Sequence, residues 1–322
     1  MELSFCNTVS LTDPLRQRAV EVSCSPIETV STFGREILVK RDDSLIIAPR
    51  LGGNKVRKLH HLIHDTSTEA IVSYGSAQGN TMAALASLCK MNGREFVYYT
   101  ATVPRFLRDK PSGNFKFSLD SGMELRIVPS TDNITPLQVA GLSSFHFVPL
   151  GAAYQLAEEG VKVLARELIE QLKTCERANV RIVVASGTGT LALFLERYLR
   201  LNATNISVVA APVVGDAAYL VQQMQDLDKR SGDVGIIPAV LDPMEKKPFA
   251  KPRKELLEIW KELSAQGLNV DLIYGARVWE ILLEQPEAFI GNKDITCVYY
   301  HCGGLDGDSS QLSRYKRLGL VK

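Results

Sequence analysis

The 322-residue chain carries 37 Lys plus Arg against 36 Asp plus Glu, a net charge of +1, with 45% hydrophobic and 23% charged residues. That balance leaves no electrostatic footprint for nucleic acid or an anionic membrane surface, and no apolar run approaches the roughly 20 residues that cross a bilayer. The length exceeds what most single cores fill and predicts two domains.

The opening stretch, MELSFCNTVSLTDPLRQRAVEV, has polar interruptions and an early acid, so it does not read as a secretory signal. REILVKRDD (35–43) reads as a strand ending in a charged turn. LGGNKVRKL (51–59) sets Gly52 and Gly53 ahead of Asn54 and Lys55. KVRKLHHLIHD then has apolar residues at 56, 59, 62 and 63, which is helical spacing, and Arg57 and Lys58 are assigned to the exposed surface of that helix. AIVSY (70–74) is a short strand breaking into GSAQGNT, and MAALASLCKMNG is a helix stopping at Gly93. EFVYYT (95–100) is a strand, NFKFSLDSG a helix closed by Gly122, and ELRIVP another strand. SSFHFVPLGAA (143–153) reads as a crossover and YQLAEEGVKVLARELIEQL as a long amphipathic helix.

The second half repeats the alternation. VRIVVA (180–185) runs into SGTGT and the helix LALFLERYLR; NISVVAAP is followed by GDAAYLVQQMQDLD. KPRKELLEIWKELSAQG (251–267) precedes LNVDLIY, placed among the strands by the alternation, and ARVWEILLEQ. DITCVYYHCGG is a last buried strand ending in glycines. Strand–helix alternation of this kind predicts an α/β fold of two open, twisted, mostly parallel sheet domains flanked by helices, with facing clefts. The small domain is read as 48–150; residues 1–47 join 151–322 in the large, cofactor-binding domain.

Six cysteines (Cys6, Cys24, Cys89, Cys175, Cys297, Cys302) are scattered without a CxxC pair, the usage of reduced thiols in a cytoplasmic protein. His60 and His64 would share a helix face, but no HExxH or further ligand completes a metal set, and no metal is expected.

ASGTGTLA (185–192) is richer. A strand meets small hydroxyl and glycine residues and a helix begins at once, so main-chain N–H groups point at an anion while Ser186, Thr188 and Thr190 add hydroxyls. Gly187, Gly189 and Ala192 also match the dinucleotide pattern G-x-G-x-x-A, yet NISVVAAP ends without the acid that pattern expects about 20 residues on. Asp216 lies beyond it. A phosphate cup together with a lysine set behind glycines suggests pyridoxal phosphate, whose aldehyde takes a lysine and whose phosphate needs a cup.

LGGNKVRKL, YGSAQGNTMAALA, SGTGT, VDLIYGARVWE and YYHCGG occur in the order and near the spacing found in the tryptophan-synthase-like pyridoxal-phosphate enzymes. The chain resembles most the 1-aminocyclopropane-1-carboxylate deaminase and D-cysteine desulfhydrase family, over roughly residues 25 to 310. The resemblance makes Lys55 the Schiff-base lysine and Ser186, Gly187, Thr188, Gly189 and Thr190 the phosphate cup. It gives Asn80 the cofactor's ring hydroxyl, and gives Ser76, Gln78 and Gly79 with Asn80 the substrate carboxylate. Tyr274 would face the substrate and Tyr299 stack near the ring.

Two positions depart from the family. Gly79 stands where a proton-handling serine is usual, and Cys302 where the desulfhydrase branch bonds the pyridine nitrogen with a threonine. The resemblance implies a homodimeric lyase or hydrolase that releases ammonia and a keto acid from a small amino acid. The alternatives are a cofactor-binding protein without catalysis, and a nicotinamide-dependent oxidoreductase using 187–192.

Overall fold

The computed structural model describes residues 22, 24–131, 144–173, 179–202, 205–286, 289, 292 and 294–321. The N-terminal stretch through 21, with Cys6, lies outside these residues, as does Cys175.

The described chain opens with an antiparallel hairpin, β1 (Ile27–Thr32) and β2 (Arg35–Lys40). A shorter hairpin, β3 (Ile46–Ala48) and β4 (Leu51–Gly52), delivers the chain to α1 (Asn54–Lys58) and α2 (His60–Ile63). The single helix expected over KVRKLHHLIHD is thus two, broken at Leu59, whose φ of −102° and ψ of 12° leave the helical well. Next come β5 (Ala70–Tyr74), α3 (Asn80–Asn92), β6 (Phe96–Thr100), α4 (Arg105–Asp109), α5 (Gly113–Asp120) and β7 (Met123–Ile127). β8 (Phe145–Val148) corrects the crossover expected at 143–153: it is a strand, parallel to β5 with Phe145 opposite Ala70. FHFV carries strand formers, and Pro149 ends it.

The rest alternates α6 (Glu158–Leu172), β9 (Val180–Ser186), α7 (Thr190–Asn202), β10 (Ile206–Pro212), α8 (Ala217–Lys229), β11 (Ala239–Val240), α9 (Lys254–Ala265), α10 (Gly275–Glu284), β12 (Thr296–Tyr300) and α11 (Asp308–Arg317). LNVDLIY is not a strand. Leu268, Val270 and Leu272 are buried, but the Asp271 carboxylate accepts the N–H groups of Ile273, Tyr274 and Gly275, and this turn starts α10.

The strands form a parallel sheet ordered β7-β6-β5-β8 and a larger one ordered β1-β2-β12-β9-β10-β11, in which β1 alone runs antiparallel to its neighbour. Val180, Ile182 and Val184 of β9 pack against Leu164 and Phe194 on one face of the larger sheet; Val183 packs with Trp279 and Ile281 on the other. Burial on both faces is why these strands read as continuous apolar runs. The smaller sheet has its own core around Ile71, Leu85, Phe96 and Val56.

Candidate active site

A cavity of about 890 Å³ opens at the carboxyl ends of the parallel strands, where open α/β sheets place their ligands. Its walls are the loops after β5 (with Ser76, Gln78, Gly79 and Asn80), after β9 (Ser186 to Thr190) and after β12 (Cys302 to Gly304), with Lys55 and Tyr274.

Lys55 reaches the cavity because of a close approach behind it. Gly53 has a φ of 59°, and a Cβ there would stand 2.1 Å from the Cys302 carbonyl oxygen. That oxygen accepts the Asn54 N–H at 3.0 Å, so only glycine lets α1 dock on the loop after β12. Lys55 Nζ donates to Asn54 Oδ1 at 2.7 Å. Burial lowers its pKa, partly offset by Cys302 and Asp271. An amine that sheds its proton more readily than a surface lysine is a nucleophile.

Arg57 and Lys58, expected on the helix surface, are buried at 1% and 6% exposure. Arg57 Nε donates to Asp42 Oδ2 at 2.9 Å and Nη1 to Glu167 Oε1 at 2.7 Å. Lys40 Nζ reaches Glu167 Oε2 at 3.0 Å, and the Ser25 and Tyr300 hydroxyls also donate to Asp42. Burial opposes the Arg57 charge, but the two carboxylates raise its pKa and keep it. This cluster fastens α1 to α6 and to the larger sheet. Lys58 Nζ lines the cavity and donates to the Gly151 carbonyl at 2.6 Å. Gly151 packs on Thr188, since a Cβ on it would lie 2.9 Å from Thr188 Cγ2. Burial, then the neighbouring Lys55, push the Lys58 pKa well below the usual lysine range.

The loop after β9 has the cup shape. Gly189 turns at a φ of 72° into the 13-residue α7, and Leu193 N–H bonds its carbonyl at 2.9 Å. The Thr188 and Thr190 hydroxyls share a 2.8 Å hydrogen bond. Ser186 Oγ instead donates back to the Val184 carbonyl at 3.1 Å, so Ser186 offers the cup main chain alone. A Cβ on Gly187 would meet nothing nearer than Val214 Cγ2 at 3.5 Å, which leaves that main chain open to the cavity.

Across the cavity, Tyr98 hydroxyl donates to the Ser76 carbonyl at 3.1 Å and shapes the loop that starts α3. The Gln78 side chain turns away, donating to the Ser112 carbonyl at 3.2 Å and accepting from Phe115 N at 3.4 Å. Asn80 Oδ1 accepts from Asn114 Nδ2 at 2.8 Å.

Tyr274 stands on the wall, edge-on to Phe249 with ring centroids 5.7 Å apart. Burial, with Asp271 and Cys302 nearby, raises its pKa, so it keeps its proton. Tyr299, expected near the cofactor ring, is not among the residues that line the cavity. It is 2% exposed, packs 5.5 Å from Trp279 and lies behind the cavity wall. In VYYHCGG adjacent residues point to opposite sheet faces, and the Tyr299 face is filled by α10. Cys302 lines the cavity, its thiol pushed up to about 12 by burial. Asp216, the acid nearest to serving a dinucleotide, caps α8 by accepting Tyr219 N–H at 2.9 Å and pairs with Lys246.

Residues 22–303 match the family model described as pyridoxal-phosphate dependent enzyme. The chain belongs to that family. It is 27% identical over 310 residues to a D-cysteine desulfhydrase of Serratia proteamaculans, covering 88% of this chain and 92% of the relative. It is 25% identical over 300 residues to the mitochondrial bifunctional D-cysteine desulfhydrase/1-aminocyclopropane-1-carboxylate deaminase of Arabidopsis thaliana, covering 85% and 73%. A crystal structure of an ACC deaminase homologue superposes with a TM-score of 0.74 at 21% identity, covering 94% and 96%. The family sets aside the nicotinamide alternative.

The residues of this pyridoxal-phosphate-dependent enzyme fit its cofactor. An open main chain at Gly187, two hydroxyls and the buried Lys58 amine all line the cavity, a donor set whose chemistry suits a phosphate, and Lys55 is a second amine in the same cavity. Sequence reasoning missed Lys58, although its spacing of three from Lys55 puts both on one helix face. It also missed Tyr98 and Asn114, for which no local signal exists.

Proposed function

We propose that the protein is a pyridoxal-phosphate-dependent deaminase or lyase of the D-cysteine desulfhydrase and 1-aminocyclopropane-1-carboxylate deaminase type, releasing ammonia and a keto acid from a small amino acid. The observation that carries this reading is one cavity holding Lys55 between an anion cup and the start of α3. Bound pyridoxal phosphate supplies an aldehyde that links to an amine and a ring that draws electrons from the substrate's α-carbon. Lys55 Nζ would hold the cofactor and, when free, would be the amine placed to move a proton at the substrate: the α-proton of an amino acid that has one, or a ring-methylene proton of the cyclopropane amino acid, whose α-carbon carries none.

Main-chain N–H groups of Gly187 to Thr190, the Thr188 and Thr190 hydroxyls and Lys58 Nζ hold the phosphate, whose charge restores the Lys58 proton that burial disfavours. Asn80 meets the ring hydroxyl oxygen. Cys302 offers the ring nitrogen a neutral thiol, a weak partner. The N–H groups from Ser76 to Asn80 receive the substrate carboxylate. Tyr274, holding its proton, donates to the leaving side of the substrate. Tyr299 acts only as packing behind the wall.

Residues 48–150 then form the small domain, and 1–47 with 151–322 the large one. The enzyme works as a cytoplasmic homodimer; its four described cysteines, all free thiols, suit a reducing compartment.

The test is ammonia and keto-acid release over a panel of D- and L-amino acids and the cyclopropane amino acid. A second reading, cofactor binding without catalysis, is favoured by the missing hydroxyl at Gly79 and the weak partner at Cys302; silence across the panel with cofactor covalently held would select it. Lys55→Ala should stay folded and lose all borohydride-fixed cofactor, together with activity. Cofactor still fixed to that variant would move the attachment to another lysine.

A further inference from the structure

The Asn114 amide has its direction set by a group that cannot flip. Its Nδ2 carries two hydrogens and meets two acceptors, the Gln78 main-chain carbonyl at 3.2 Å and Asn80 Oδ1 at 2.8 Å. Its own Oδ1 is buried without a partner among the described residues. Reversing the amide would take the donor away from the Gln78 carbonyl and set an oxygen against it, whichever way Asn80 turned. Asn80 therefore accepts on Oδ1, and its Nδ2 is left on the side of Gly304, where a Cβ would lie 3.3 Å from it. Asn80 enters the cavity as a donor.

Asn114 is well placed to enforce this. It is 3% exposed in the first turn of α5, and the Gln78 side chain bonds both Ser112 O and Phe115 N on either side of it. These bonds tie the loop to the helix start.

We propose that Asn114 is a positioning residue for the cofactor, fixing Asn80 as a hydrogen-bond donor so that the ring oxygen of pyridoxal phosphate stays deprotonated. This rests on the reading that Asn80 meets that oxygen. A donor stabilises an oxyanion, whereas an acceptor in the same place stabilises the hydroxyl. Direction thus passes from a backbone carbonyl through two amides to the electronic state of the ring.

The experiment is a pH titration of the absorption spectrum of the holoenzyme, in which protonated and deprotonated ring oxygens give separate near-ultraviolet and visible bands. Wild type, Asn114→Asp, Asn114→Ala and Asn80→Ala are compared, with cofactor content and melting temperature measured on the same samples. A carboxylate at 114 can only accept, so Asn80 must turn its Nδ2 towards it and its oxygen to the ring. The midpoint for the visible band should then rise by on the order of one pH unit. Asn114→Ala adds no charge and should move the midpoint the same way by less, which separates amide direction from Coulomb repulsion. If Asn80→Ala shifts the midpoint and neither Asn114 variant does, the positioning role is overturned. If Asn80→Ala itself leaves the midpoint unchanged, the placement of Asn80 on the ring oxygen has failed first.

Discussion

The loop after β9 and the loop after β5 present main-chain N–H groups at a helix start, one in each half of the molecule, yet their glycines serve different ends. Gly189 stands at a φ of 72° with Met224 Cγ only 2.3 Å from where a Cβ would sit. Gly79 has a φ of −64° and a ψ of 133°, extended backbone open to any residue. The nearest atom to a Cβ there is the Ser76 carbonyl oxygen at 3.3 Å. The first glycine is imposed by the fold; the second leaves space in the cavity. Glycine-rich loops that look alike in sequence therefore divide into shape-making and room-making members.

The largest effect should come from Gly189→Val. A β-branched residue in the left-handed region, overlapping Met224, should cost about 3 kcal/mol and leave the purified protein without cofactor. Thermal unfolding and the visible absorbance after gel filtration read both. Retention of cofactor at wild-type affinity would move the phosphate away from this loop.

Lys58→Met tests the cup from its other side. Losing a charge-assisted bond of about 1.5–3 kcal/mol should weaken cofactor affinity by roughly 10- to 100-fold. The apoenzyme should gain or keep stability, because a buried amine disfavoured by burial and by Lys55 is replaced by an apolar chain. Unchanged affinity by fluorescence titration would mean that the cup works with N–H groups and hydroxyls alone.

How the two loops were legible follows from this contrast. The strand–helix alternation is a local pattern and was readable, as were the glycine turn before Lys55 and the strand–loop–helix step at 186–190, both of which line the cavity. Burial of Arg57 was not, because Glu167 lies 110 positions away and the interaction with Asp42 depends on how α1 docks. Tyr274 and Tyr299 looked equivalent, but Tyr274 stands in the turn that starts α10, on the cavity wall, while Tyr299 lies on the sheet face that α10 covers. β8 was lost to its flanking Pro and Gly, and the LNVDLIY strand to an aspartate whose carboxylate captured three N–H groups.

Acid should act unequally on the two halves. His60, His61, His64 and His146 all cluster around α2 and β8; burial lowers every one, with His60 and His61 brought to about 4 as neighbouring imidazoles add to it. A folded pKa below the unfolded value of about 6.5 stabilises fully above 6.5 and is lost as pH falls towards 4. Amides of β5 and β8 should therefore lose hydrogen-exchange protection in that window before those of β9 and β10. His61→Gln should reduce the difference. Equal loss in both sheets would show that these imidazoles do not set the acid limit.

Gly79→Ser carries the smallest structural effect and tests the second kind of glycine. Gly79 is the N-cap of α3 and has no side chain to cap it, while a serine there gains at most a few tenths of a kcal/mol over glycine. A Cβ would keep 3.6 Å from Ser76 Oγ and from the Tyr98 hydroxyl, so melting should move by less than about 0.5 kcal/mol. The hydroxyl itself would enter the cavity beside the space assigned to the substrate carboxylate. If this chain runs the family chemistry short of one proton-handling group, turnover of a D-amino acid or the cyclopropane substrate should rise by about tenfold, the worth of one added hydrogen bond at the reacting centre. If the space above Gly79 instead receives a larger substrate side chain, serine should raise KM for the true substrate with kcat little changed, because binding common to ground and transition states has been removed. The extended backbone at Gly79 permits the serine once the Ser76 carbonyl, 3.3 Å from the new Cβ, gives by a few tenths of an ångström, so the expected sign is a gain on small substrates, and a raised KM in the same assay would identify the larger one.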